Sequence, residues 1–225
     1  MRMISTRFSV VRLLGIVRRH IRLLKRVFND ENLINQIQTE YEALESKQKT
    51  IEEKEHEREN AYDDMLLADH LADDAVRNLF GACQEYDRKK PGNNVLIRIF
   101  PDETFGNIIH LPLVSEVVQL DKLVIRINEL GPDHELAGFS KEISEKSEAV
   151  KTAMATYEEK VRQVKLAEAE GEIAKEALIR KYELNYLEAR KTYGRQQAEK
   201  LFPRLSTRLP DTEEEPEEQT TDEAA

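Results

Sequence analysis

One cysteine, no tryptophan and eight glycines in 225 residues set the first limits on this chain. A lone Cys83 excludes an intramolecular disulfide and gives no support for an oxidising compartment. No apolar run approaches the roughly 20 residues that a helical membrane span needs. The longest near the start, residues 13–17, is flanked by Arg12 and Arg18. A secretory signal needs about 7–15 apolar residues and a small-residue cleavage site, and neither is present. The expected location is cytoplasmic, with peripheral attachment to a membrane left open. Gly-rich, irregular stretches of the kind that carry catalytic loops are scarce as well. No P-loop, dinucleotide fingerprint or Ser nucleophile elbow occurs. The chain is therefore read as a non-enzyme with no cofactor and no small-molecule substrate.

Charge is abundant. Charged residues make up 35% of the chain and aromatics only 6%, a balance suited to long helices with solvated faces and a thin core. The net charge is -10, but it is unevenly placed. The first 28 residues carry eight basic side chains (Arg2, Arg7, Arg12, Arg18, Arg19, Arg22, Lys25 and Arg26) and no acid. The last sixteen, PDTEEEPEEQTTDEAA, carry eight acids and no base.

Between residues 30 and 90, steps of four and three link Ile37, Tyr41, Leu44, Gln48, Ile51, Glu55, Arg58, Tyr62, Met65, Asp69, Ala72, Val76, Leu79, Cys83 and Tyr86. About seven heptads favour a coiled-coil helix over a short globular one. Asp30 is the expected N-cap, and Pro91-Gly92 the stop. Sixty residues would make a helix of about 90 Å. Gln48, Glu55, Arg58 and Asp69 are polar on the seam, so the seam around residues 45–59 is expected to be loose.

Residues 139–200 form a second segment of similar length, with Ile143, Val150, Met154, Tyr157, Val161, Val164 and Leu178 as its stripe and Pro203 as its end. Gly171 is expected to interrupt it, at a helix cost of about 1 kcal/mol. Folding one segment back on the other about residue 115 pairs position i with roughly 230-i. Residues 91–138 differ in chemistry. NVLIRIF and FGNIIHL read as short β-branched strands around a turn at PDETFG, followed by a helix through Leu113, Val117, Leu120, Val124 and Ile127. After Pro203 the Glu/Asp/Thr/Pro composition cannot bury enough surface to order itself, so residues 201–225 are read as a disordered acidic tail.

Chemistry-bearing patterns are weak. Glu53 and His56 stand at the i, i+3 spacing of di-iron bundles, but no matching pair exists, and no His follows His134. Asp69, His70, Asp73 and Asp74 are acidic enough to hold a cation loosely, yet acidic helix faces are common. No metal site is expected. Cys83 falls on the seam, where a free cysteine packs as a small apolar residue. His110 has no evident carboxylate companion. Tyr41, Tyr62 and Tyr86 sit at helical spacing, which favours core over a stacking platform for nucleic acid.

The opening arm is the most specific feature. On a helical wheel Val10, Leu13, Leu14, Ile16, Val17, Ile21, Leu23, Leu24, Val27 and Phe28 gather on one half, with the basic residues opposite and Phe8 and Val11 as exceptions. Such a helix can lie on an anionic membrane, dock in a protein groove, bind phosphate or serve as a transit segment. It can also pack its apolar face on its own chain. Nucleic acid is set aside, because the acidic middle of the chain repels phosphate. The residues expected to contact a protein partner or an anionic membrane surface are Arg7, Arg12, Arg18, Arg19, Arg22, Lys25 and Arg26.

These readings give a mainly α fold, a long antiparallel coiled-coil helical hairpin with a small α/β head inserted at its tip. Its segments are a basic amphipathic helix at 1–28, a first long helix at 30–90, the head at 91–138, a second long helix at 139–200 and the acidic tail at 201–225. The expected function is that of a scaffold or adaptor, with arm and head as contact surfaces and homo-oligomerisation left open. The alternative is a pore-forming-like protein that inserts its apolar head into a bilayer. Arg98, His110 and Pro112 speak against it, since charge and proline near mid-membrane are costly.

Overall fold

The computed structural model describes residues 4–102 and 104–202. The acidic segment from residue 203 onwards lies outside the described residues, as does Arg2. Among the described residues 83% are helical, no strand occurs, and long helices pack together. The described residues form seven helices, α1 (Val10–Val27), α2 (Glu31–Lys89), α3 (Val95–Ile99), α4 (Gly106–Ile109), α5 (Leu113–Asn128), α6 (Gly138–Tyr193) and α7 (Arg195–Leu201).

The chain divides into two compact units. The first draws on Met1–Gln48 and Glu170–Ala225, the second on Lys49–Ala169.

In the first unit, the Ser9 side chain accepts the Arg12 N–H and opens α1. Helix α1 ends where Asn29 takes a left-handed conformation at φ 51°. The next residue, Asp30, caps α2 by accepting the Leu33 N–H at 3.1 Å. This tight turn returns the chain so that α1 packs on the first turns of α2. The core joins Leu13, Val17 and Leu24 of α1 to Ile37 and Leu44 of α2, Leu178 and Tyr182 of α6, and Leu201 and Phe202 at the end of α7. Asn185 Nδ2 donates to the Leu33 carbonyl, and Tyr193 Oη donates to Asp30 Oδ2 at 2.7 Å. Lys47 pairs with Glu170 at 2.6 Å. These partners run in opposite chain directions. Gly194, at φ 79°, separates α6 from α7 and so ends the second long helix before Pro203. Helix α6 runs unbroken through Gly171.

In the second unit, Glu57 of α2 pairs with Lys160 of α6, and the ring of Tyr62 lies 5.6 Å from that of Tyr157. Glu57 thus meets Lys160 and not a residue near 173, as the expected fold-back point required. The pairs Glu57–Lys160 and Tyr62–Tyr157 place the fold-back point near residue 109 instead of 115. Tyr86 packs on His134, and both Asp87 carboxylate oxygens accept backbone N–H groups of the head. No residue from 45 to 60 is buried, so the polar seam positions there are at least partly solvated.

The head contains no strand among its described residues, which corrects the α/β reading. In NVLIRIF the β-branched residues suggested extension. Instead, Val95 and Ile99 fall one helical turn apart and are both buried. The N–H groups of Val95 and Leu96 donate to Asp87 at 2.9 and 2.8 Å, which satisfies two orphan donors of α3. In FGNIIHL, Thr104 Oγ1 accepts the Gly106 N–H, and Ile108 of the single-turn α4 is buried. Their partners are Leu120, Leu123 and Ile127 of α5, Leu79 and Cys83 of α2, and Ile143 of α6. Burial against three helices overrides the local β preference.

Candidate functional site

The apolar face of α1 is already occupied by the chain itself. Leu13, Leu14, Val17, Ile21 and Leu24 are buried in the first core. His20 lies among them with its Nδ1 3.2 Å from the Leu201 carbonyl oxygen, a bond the neutral ring makes as donor. Its ring meets Phe202 at 4.2 Å and Tyr182 at 5.1 Å. Burial holds its pKa down at about 4.

The basic side chains on the opposite face divide into two groups. Arg18 is committed internally: its guanidinium donates to Tyr41 Oη at 2.6 and 3.0 Å and reaches Glu45 at 3.5 Å. Arg12 stands over the Phe8 ring at 4.4 Å. Arg7, Arg19, Arg22, Lys25 and Arg26 are exposed and form no ion pair among the described residues. Arg19, Arg22 and Lys25 follow one another at three-residue steps and Arg26 stands four after Arg22, so these four share a face. Lys25 and Arg26 stand in its last turn, where the helix dipole favours cations.

Other candidates resolve into ordinary packing or surface. Cys83 is buried, and burial, then the charge of Asp87, pushes its thiol up to about 12, far from a nucleophile's range. His56 Nδ1 faces Glu59 at 3.5 Å on an exposed turn. Tyr41 is core with its hydroxyl at the edge, donating to Glu45. Tyr62, expected in the core, is 44% exposed. Glu57 accepts from both Lys54 and Lys160, and these bonds hold its carboxyl down at about 2.

A second feature was not legible in the sequence. Asp69 and Asp73, one turn apart on α2, meet Glu116 of α5, and one oxygen from each lies within 4.8 Å of the others. Glu116 stands in the first turn of α5, with its N–H on the Pro112 carbonyl. Burial first, then a hydrogen bond with Asp69 and the charges of Asp69 and Asp73, push its carboxyl up to about 8. Asp73 is also raised by burial, while Arg77, His70 and His110 pull it the other way. Sequence periodicity showed Asp69, His70, Asp73 and Asp74 as an acidic face. Only the packing of α5 adds Glu116, 43 residues further on, and buries part of that face.

Among the described residues no helix is long and apolar enough to cross a membrane. No family model, curated protein or solved structure matches the chain.

Proposed function

We propose that the protein is a non-enzymatic scaffold or adaptor that engages an acidic protein partner or an anionic membrane surface through the basic face of α1, with α2 and α6 as its coiled-coil hairpin frame. The supporting observation is the contrast between the two sides of α1. One side is locked into the core, while Arg19, Arg22, Lys25 and Arg26 are exposed on the other and form no ion pair among the described residues. A helix that must keep its apolar face in its own core adheres by charge and not by insertion. Each basic side chain near an anionic bilayer is worth about 1 kcal/mol, so four suffice for weak, salt-sensitive binding.

The head supplies the second surface of this reading. Val114, Val118 and Ile125 lie on one face of α5 and are 68%, 50% and 58% exposed. This stripe suits the apolar side chains of a protein partner better than phosphate. The acidic segment after residue 209 has a place in the same scheme. The described chain ends at Phe202 against His20 of α1, and the eight acids that follow would compete with external anions for the basic face.

Co-sedimentation of the full chain with phosphatidylserine-containing vesicles, beside retention on poly-glutamate, tests the reading. Binding should fall with salt, since exposed charges are screened over about 8 Å at physiological ionic strength. The fourfold change Arg19→Glu, Arg22→Glu, Lys25→Glu and Arg26→Glu should abolish it while leaving helicity intact. A folded wild-type chain that ignores both probes at low salt would end this reading. The pore-forming alternative is addressed on the same vesicles, because only that mechanism releases trapped dye.

A further inference from the structure

We propose that Asp69, Asp73 and Glu116 form a binding site for a hard divalent cation of the Mg2+, Mn2+ and Ca2+ class. Two oxygens on one ion lie at most twice the metal–oxygen distance apart, about 4.2 Å for Mg2+ and about 4.8 Å for Ca2+. The three carboxylates offer oxygens within 4.8 Å of one another, so one ion can touch all three with little rearrangement. Oxygen-only ligands select hard cations over zinc or copper.

Acidic faces are common along this chain, and proximity alone would not distinguish this one. Burial does. Glu116 is 1% exposed, and its Oε1 has no hydrogen-bond partner. Asp73 is 8% exposed, and its Oδ1 is in the same position. Among the described residues these are the only buried carboxylate oxygens without a partner, and both belong to the trio. The other two unpartnered buried atoms, His20 Nε2 and Asn185 Oδ1, are on side chains that need carry no charge. A buried carboxylate either takes up a proton or needs a counter-charge, and a cation within reach of all three would supply it. Arg77 supplies one to Asp73 Oδ2 at 3.2 Å but divides itself with Asp74, and it makes no bond to Glu116. The half-buried Glu57 of α2, by contrast, finds its counter-charges directly in Lys54 and Lys160.

The placement also gives an ion something to do. Asp69 and Asp73 belong to α2, while Glu116 begins α5, so a shared ion would fasten the head helix to the long helix. Asp69 is only half-buried, which leaves a route of entry from solvent.

The test uses the full chain freed of metal with a chelator and titrated with Mn2+. Electron paramagnetic resonance reports free aqueous Mn2+, and thermal melting is followed in Mn2+, Mg2+ and Ca2+. One Mn2+ should bind per chain, with a melting temperature that rises in the wild type. Glu116→Gln and, separately, Asp69→Asn should each weaken binding at least tenfold and remove the metal-dependent rise. Asp63→Asn with Asp64→Asn, on an exposed acidic turn, should change neither. Circular dichroism verifies folding, and the half-exposed Asp69→Asn serves if Glu116→Gln does not fold. Equal binding by wild type and Asp69→Asn would assign the Mn2+ to general surface acidity and overturn the proposal. No binding at millimolar Mn2+ by a folded wild type would also overturn it, leaving a proton shared among the three carboxyls.

Discussion

His20 Nδ1 lies 3.2 Å from the carbonyl oxygen of Leu201, so the first helix and the last described one are joined by a buried bond across 181 residues of chain. The unfolded ring has a pKa near 6.5, and the folded one is held at about 4. Between these values the unfolded chain binds a proton that the folded chain refuses. Stability is therefore complete above about pH 6.5 and is lost as pH falls towards 4. The expected loss is about 3 kcal/mol. Urea unfolding of wild type and His20→Phe at several pH values checks this, because the wild type should lose stability relative to the variant steadily from pH 7 to pH 4. A constant difference would mean that His20 is not buried as a neutral ring.

Truncating the buried face of α1 should cost far more than altering its basic face. Leu13→Ala and Leu24→Ala each leave a cavity in the first core and should destabilise by about 2–5 kcal/mol. Arg22→Ala, at an exposed site with no ion pair among the described residues, should stay within about 0.5 kcal/mol. Chemical denaturation of the three variants gives the comparison, and a Leu24→Ala cost no larger than that of Arg22→Ala would remove α1 from the core.

The register of α2 on α6 in the second unit can be read by cross-linking. In a Cys83→Ala background, Tyr62→Cys with Tyr157→Cys should join within one chain through a short bis-maleimide, since the native rings are 5.6 Å apart. Met65→Cys with Val164→Cys, the pair expected from a fold-back at residue 115, should react much less. The reverse ratio would restore that earlier register.

The head should be sensitive to charge at α3. Ile99 is fully buried, so Ile99→Asp would place an unpaired carboxylate in the second core and cost several kcal/mol. Val124 is half-buried and should tolerate Asp better. Thermal melting orders the two, and a milder Ile99→Asp would argue against helical packing of residues 95–99.

Removing residues 210–225 should strengthen binding of the chain to anionic vesicles, because eight competing acids leave with them. The effect should disappear at high salt, where neither the segment nor the vesicle holds the basic face. Unchanged vesicle affinity at low salt would separate this segment from the regulation of α1.

The sequence by itself determined the helical character, the N-cap at Asp30, the stop at Pro91-Gly92, the partly solvated seam around residues 45–59 and the two-sided nature of α1. All of these depend on local spacing, capping chemistry and charge, which act within a few residues and so leave a trace in order alone. Tertiary structure decided the rest. Whether Leu13 and Leu24 face a bilayer or their own core depends on α7 and the end of α6, about 170 residues away. Whether Val95–Ile99 is strand or helix depends on an Asp87 carboxylate presented by the end of α2, and on apolar partners from α5 and α6. Periodicity could show that Asp69 and Asp73 share a face. It could not show that Glu116 arrives opposite them, because a buried carboxylate and a solvated one are written with the same letter, and only packing removes the water between them.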